Sequence, residues 1–253
     1  MASKNKREVD KQKAESHKQK LLADKKRRRA SQNIDRPEPN LSIKPTILIY
    51  CEGKNTEPSY FNKFKVSSAK VKAYGEGRNT LSLVETALKL KNDAKELGKP
   101  FEQVWCVFDA DPKPDNPKQL QNFNDAIIFA NKNDLRCAYS NQAFEYWLIL
   151  HFEDHQGGAM PREDYDNKLN GYLEPYGVAY DGKSSKIVTP EIFSILFEVV
   201  RTTNDGVKIT RYDEATRRAE RNYKNHSDDH SNPGIEESST LVNNLVEVLL
   251  KYM

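Results

Sequence analysis

Cysteine is scarce in this chain. Three thiols, Cys51, Cys106 and Cys137, stand among 253 residues. An odd count without a paired spacing argues against a disulfide framework and against a zinc site built on cysteine. Each falls in a predicted strand among apolar neighbours and reads as a small buried hydrophobe. Long apolar runs are also missing. None approaches the roughly 18 residues that a membrane span requires, so no membrane partner is expected. The N-terminus is highly charged and has no apolar h-region, so it does not read as a signal peptide, and the cytoplasm is the expected location. There are five histidines. His151 and His155 share i,i+4 spacing, as do His226 and His230, but neither pair carries the Glu of an HExxH zinc motif. No internal repeat is visible.

What the chain does have is charge. Charged residues make up 30% and hydrophobic ones 37%, which describes a soluble protein with a moderate core, either one large domain or a domain with an appendage. The net charge of +3 hides an asymmetry. Residues Met1 to Arg36 hold thirteen Lys and Arg against five Asp and Glu, a local +8, so the remainder carries about −5. Residues 1–40 have few apolar positions and no stripe that could dock on a core. They are expected to form a basic, disordered arm, although their Ala, Lys, Glu and Gln content permits a solitary helix. The run Lys25, Lys26, Arg27, Arg28 and Arg29 is its candidate phosphate or nucleic-acid contact; the alternative is a solvated tail.

From Lys44 onward strands and helices alternate. Strands are expected at 47–51, 70–74, 103–108 and 135–139. Helices are expected at 57–66, 80–97 (closed by Gly98) and 118–132. Short, nearly all-apolar strands separated by helices imply a parallel sheet covered on both faces, with right-handed crossovers. This α/β core is expected over 44–155. It ends in a buried helix within 143–152, where Tyr146, Trp147 and Phe152 read as core. Residues 156–253 are expected to be a mostly helical elaboration of the same domain, with helices at 162–173, 189–201, 211–224 and 238–252.

Two strand ends carry acids. The first strand delivers Glu52 and Gly53 at its tip, and about fifty residues later another delivers Asp109 and Asp111. Ligands of open α/β sheets sit outside the carboxyl ends of the strands. A period of two puts Asp109 and Asp111 on one side, where like charges repel unless a cation lies between them. Oxygen ligands without nearby Cys or His favour Mg²⁺ or Mn²⁺. Glu52 could ligate the same ion or act as a general base, and Gly53 permits a sharp exit or close approach. Glu57 opens the next helix, where the helix dipole alone would favour an acid. Glu145 is an acid inside an apolar helix, a candidate ligand or ion-pair partner, and Asn141 could hold a ligand or cap that helix. Gly177 to Ser184 also fits the loose pattern GxxxxGK[ST]. A phosphate-cradling loop needs a buried strand before it and a helix directly after, and neither is expected here.

The segment Ile49 to Phe61, containing YCEGKNTEPSYF, resembles the opening motif of the RloB-like family. SNQAFEYWLILHF (140–152) and NPGIEESSTLVNNLVEVL (232–249) resemble its second and third signatures. The resemblance covers roughly 45–253. It implies a TOPRIM-type (topoisomerase–primase) fold, like the nuclease half of the overcoming-lysogenization-defect proteins, and a role beside an AAA/ABC-type ATPase in bacterial defence against phage. Glu52 then matches the TOPRIM glutamate and Asp109 and Asp111 the DxD pair. Glu57 and Glu145 match acids in the family's own motifs. The chain departs from the pattern in the third signature, where a Gly-Ile-Glu-Glu-Ser-Ser stretch separates Asn232 and Pro233 from Thr240. The implied activity is Mg²⁺- or Mn²⁺-dependent cleavage of DNA or RNA, with Lys183 or Lys186 as the cation that stabilises the transition state. The alternative is a non-catalytic nucleic-acid-binding adaptor subunit.

Overall fold

The computed structural model describes residues 13, 15–26, 45–73, 80–112, 116, 118–156, 158, 160, 162–226 and 229–253. The chain divides into two units, Met1–Ile43 and Lys44–Met253. In the first, residues 15–26 form a helix, α1, exposed along its whole length. This is the solitary helix that the arm's Ala, Lys, Glu and Gln content permits. Lys25 and Lys26 are the last described residues of α1, and Arg27, Arg28 and Arg29 lie outside the described residues.

The second unit is built on a four-stranded parallel sheet. Its strands are β1 (Ile47–Cys51), β2 (Ala69–Ala73), β3 (Gln103–Asp109) and β4 (Arg136–Ser140), in the order β2-β1-β3-β4. Parallel neighbours require crossovers. Helix α2 (Thr56–Phe61) with its following 3₁₀ turn, α3 (Thr80–Glu96) and α4 (Lys118–Lys132) supply them. Gly98, at φ 69°, ends the α3 segment in the left-handed conformation. The two-residue period of the strands sorts their side chains cleanly. Leu48, Tyr50, Val104, Cys106 and Phe108 pack under α3 and α4 with Leu83, Val84, Phe123 and Ala126. Ile47, Ile49, Cys51, Trp105 and Val107 face the second layer.

That second layer is α5 (Glu145–Leu150), α6 (Arg162–Leu173), α7 (Pro190–Leu196), α8 (Arg211–Lys224) and α9 (Val242–Lys251). Every residue of α5 is buried, so this short helix is the centre of the layer rather than a surface element. Trp147 donates its Nε1–H to the Tyr60 hydroxyl at 3.0 Å, tying α5 to α2. The C-terminal half therefore packs on the sheet through one continuous core. Of the three cysteines, Cys51 and Cys106 are buried and Cys137 is partly exposed. No helix among the described residues is long and apolar enough to cross a membrane.

Two expected helices are cut short. The helix expected at 189–201 ends at Leu196, and β5 (Val199–Thr202) follows, pairing antiparallel with β6 (Lys208–Thr210). Val199, Val200 and Thr202 are β-branched, and Asn204 and Asp205 make the turn, closed by the Gly206 N–H donating to Thr203 O at 3.0 Å with Gly206 at φ 85°. The helix expected at 238–252 starts only at Val242. Residues 233–241 instead form a strap against the end of β4: Asn141 N–H donates to Ser239 O at 2.8 Å and Leu241 N–H to Tyr139 O at 2.9 Å.

Candidate active site

The site is assembled at the carboxyl ends of β1 and β3. Glu52 continues the sheet past β1, its N–H donating to Val107 O at 2.8 Å. Its carboxylate turns towards β3 and accepts the Asp109 N–H at 3.2 Å. The two strand tips are thus joined by the acids themselves. Strand β3 ends at Asp109, so a simple strand period does not carry Asp111 to the same side. Ala110 N–H and Asp111 N–H instead bond Ser140 O and Gln142 O alongside β4, and Asp111 turns at φ 36°. Both aspartates still reach one cavity of about 280 Å³.

Glu52, Glu57, Asp109 and Asp111 all line that cavity, with Gly53, Lys54, Asn55, Thr56 and Lys186 completing the wall. Glu57 lies in the first turn of α2 and is 4% exposed. Its Oε1 accepts the Gly53 N–H at 3.3 Å. A Cβ on residue 53 would lie 2.1 Å from Glu57 Oε2, so the glycine serves close approach of the carboxylate rather than a sharp turn. Burial pushes the Glu57 carboxyl up to about 7; the charges of Glu145 and Glu52 add to the rise, against hydrogen bonds from the local backbone.

Glu145 is 1% exposed and is not part of the cavity wall. The Tyr180 hydroxyl donates to its Oε1 at 2.8 Å and stands 3.1 Å from the Thr56 hydroxyl. Sequence reasoning alone does not single out Tyr180, Thr56 or Lys54. Tyr180 lies in the stretch that fits the phosphate-loop pattern. There, a 3₁₀ turn (Glu174–Tyr176) precedes Gly177, and no helix begins before Pro190, so the strand and helix that a phosphate cradle needs are both absent. Lys183 is exposed and lies outside the cavity wall, which Lys186 joins instead. The choice between the two lysines is made by Asp181. Its carboxylate accepts the N–H groups of Lys183, Ser184 and Ser185, and its carbonyl accepts Lys186 N–H at 2.8 Å. The turn leaves Lys186 at φ 51°, beside the acids.

A sequence model of the RloB-like protein family matches residues 47–249. The chain belongs to the RloB-like family. The matched region holds every carboxylate named above and excludes α1. Neither a curated protein nor a solved structure gives a significant match to the chain.

For a divalent cation the donor chemistry of this RloB-like site is suitable. All candidate donors are carboxylate oxygens, which hard ions prefer, and burial, with the charges of Glu145 and Glu52 adding to it, raises the Glu57 carboxyl beside them. Among the described residues, however, no three Asp, Glu, His or Cys side chains already converge on a common point. The four carboxylates share the cavity wall without meeting at one point.

Proposed function

We propose that this RloB-like protein is a metal-dependent nuclease that hydrolyses phosphodiester bonds of DNA or RNA. The reading rests on one observation: four carboxylates from two strand tips and a helix start share one small cavity with Lys186. Glu52, Asp109 and Asp111 would hold Mg²⁺ or Mn²⁺, with Glu57, and Glu145 behind it, as further acids for the ion or a second one. When bound, the cation supplies charge neutralisation at the scissile phosphate. Glu52 would, as an alternative to ligating the ion, take the proton of an attacking water, and the Lys186 ammonium would balance charge that develops on the phosphoryl oxygens. The basic residues of the arm, Lys25 to Arg29, extend the contact to the nucleic-acid backbone. The family resemblance adds the setting: cytoplasmic anti-phage defence with an AAA/ABC-type ATPase partner.

A second reading, a non-catalytic nucleic-acid-binding adaptor, is favoured by the lack of three converged ligands among the described residues. One experiment separates them. Wild type and Asp109→Ala/Asp111→Ala are incubated with plasmid and with RNA, in Mg²⁺ or Mn²⁺, with and without the ATPase. Cutting by the wild type alone supports the nuclease. Cutting by neither protein in any condition supports the adaptor.

A further inference from the structure

The stretch from Gly177 to Val188 opens with the phosphate-loop pattern of Gly177 to Ser184 yet has no such fold, so its role lies elsewhere. It is held from below by α6. The Asn170 side chain grips the backbone of Tyr180 from both sides, accepting its N–H at 2.7 Å and donating to its carbonyl at 2.9 Å. Two residues on, a Cβ at Gly182 would lie 2.0 Å from Asp166 Oδ2, so the loop lies directly against α6 there as well. At its far end Val188 N–H donates to Ser59 Oγ of α2 at 2.8 Å. The loop is therefore clamped to the helix that carries Glu57. Between these clamps the Tyr180 ring is 2% exposed, and its hydroxyl ends between Glu145 and Thr56. A phenol has one proton. With that proton given to Glu145, Tyr180 accepts from Thr56, giving a fixed order Thr56 to Tyr180 to Glu145 that starts at the cavity wall and ends at the buried acid.

We propose that Tyr180, gripped by Asn170, is a positioning residue that fixes Glu145 behind Glu57 and so sets the cation affinity of the carboxylate site. The inference rests on the metal site proposed above. Groups that hydrogen-bond a metal ligand typically change metal affinity by about 10- to 100-fold, and Tyr180, which acts from behind the wall through Glu145, is expected at the low end of that range.

The test is calorimetric titration of Mn²⁺ into the full chain, with no turnover needed. Wild type is compared with Tyr180→Phe, Asn170→Ala, Glu145→Gln and the Tyr180→Phe/Glu145→Gln double variant, and a thermal melt is recorded for each. Tyr180→Phe keeps the buried ring and is expected to bind Mn²⁺ at least about tenfold more weakly than wild type. Asn170→Ala should lose affinity in the same direction with Tyr180 still present. Because Tyr180 acts through Glu145, the double variant should bind no more weakly than Glu145→Gln alone. A purely structural role would give additive losses, and that result overturns the inference. So does unchanged affinity in Tyr180→Phe, or in Asn170→Ala should the tyrosine variant not fold. If the wild type itself binds no Mn²⁺, the metal site falls and this inference with it. Binding by wild type with unaltered variants removes this inference alone.

Discussion

At the scale of single residues, the closeness of Gly53 and Glu57 makes a sharp prediction. Gly53→Ala puts a methyl 2.1 Å from the far end of the Glu57 side chain, which can swing away. The stability cost should therefore sit at the low end of the roughly 1–3 kcal/mol for overpacking. The displaced carboxylate leaves the cavity, so Mn²⁺ affinity and cleavage should fall much further than the melting temperature; a melt and a titration on one sample check this. Two buried groups titrate in opposite senses. Burial pushes the Glu57 carboxyl up to about 7, so its contribution to stability is full at low pH and is lost as pH rises from about 4.5 through 7. Burial pushes His151 down to about 3, against the hydrogen bonds it makes to the backbone of its own helix. The unfolded imidazole takes up its proton near 6.5, so this contribution is lost as pH falls below that value. Between pH 7 and 5 each is worth about 2 kcal/mol, in opposite directions. Urea midpoints should show the pair unmasked: Glu57→Gln loses stability on acidification to pH 5 and His151→Phe gains it. If both variants follow the wild-type profile, neither group titrates as its burial requires.

At the scale of elements, the loop from Asp181 to Lys186 has the most to lose from one change. Asp181→Ala removes the acceptor of three backbone N–H groups and releases Lys186 from its place in the cavity wall. The cleavage rate should drop towards that of Lys186→Ala, a loss of about 10²-fold, while Mn²⁺ affinity stays near wild type. An equal fall in affinity would show that the loop serves the cation rather than the phosphate. This loop also shows what can be read from the sequence. Ile47–Cys51 and Gln103–Asp109 are legible because a strand buried on both faces is a short apolar run. The acids at their tips follow from where parallel strands end. The choice of Lys186 over Lys183 is not legible, because an Asp181 turn makes it, and neither is Tyr180, whose partner Glu145 is 35 residues away in sequence. The β5–β6 hairpin does leave a signal. Val199, Val200, Thr202 and Thr203 followed by Asp205 and Gly206 are β-branched residues and a turn, and reading them as the end of a helix gives apolarity more weight than branching. The strap over 233–241 leaves less, since apart from the Thr240 hydroxyl, which bonds Tyr139 O and Ser140 Oγ, its bonds to β4 use backbone groups that many sequences could supply.

At the scale of the whole molecule, charge is divided between the two parts of the chain. Residues 1–36 carry a local +8 and the remainder about −5, so under the proposed function an acidic body would meet polyanionic nucleic acid through a basic arm. Deleting residues 1–36 should weaken nucleic-acid binding and flatten its dependence on salt, by about 0.7–0.9 in log–log slope for each phosphate that the arm neutralises. An unchanged slope would place the phosphate-binding groups on the body. The arm stands outside the family match, so cleavage of short oligonucleotides at low salt should survive the deletion. The claim beneath all of this is that Glu52, Asp109 and Asp111 gather around one divalent ion. Anomalous diffraction from crystals of the full chain soaked in Mn²⁺ tests it most directly. A manganese peak in the cavity between the tips of β1 and β3, within bonding distance of oxygens from those three residues and absent in Asp109→Ala/Asp111→Ala, is the predicted result. Manganese bound elsewhere, with this cavity empty, would contradict it.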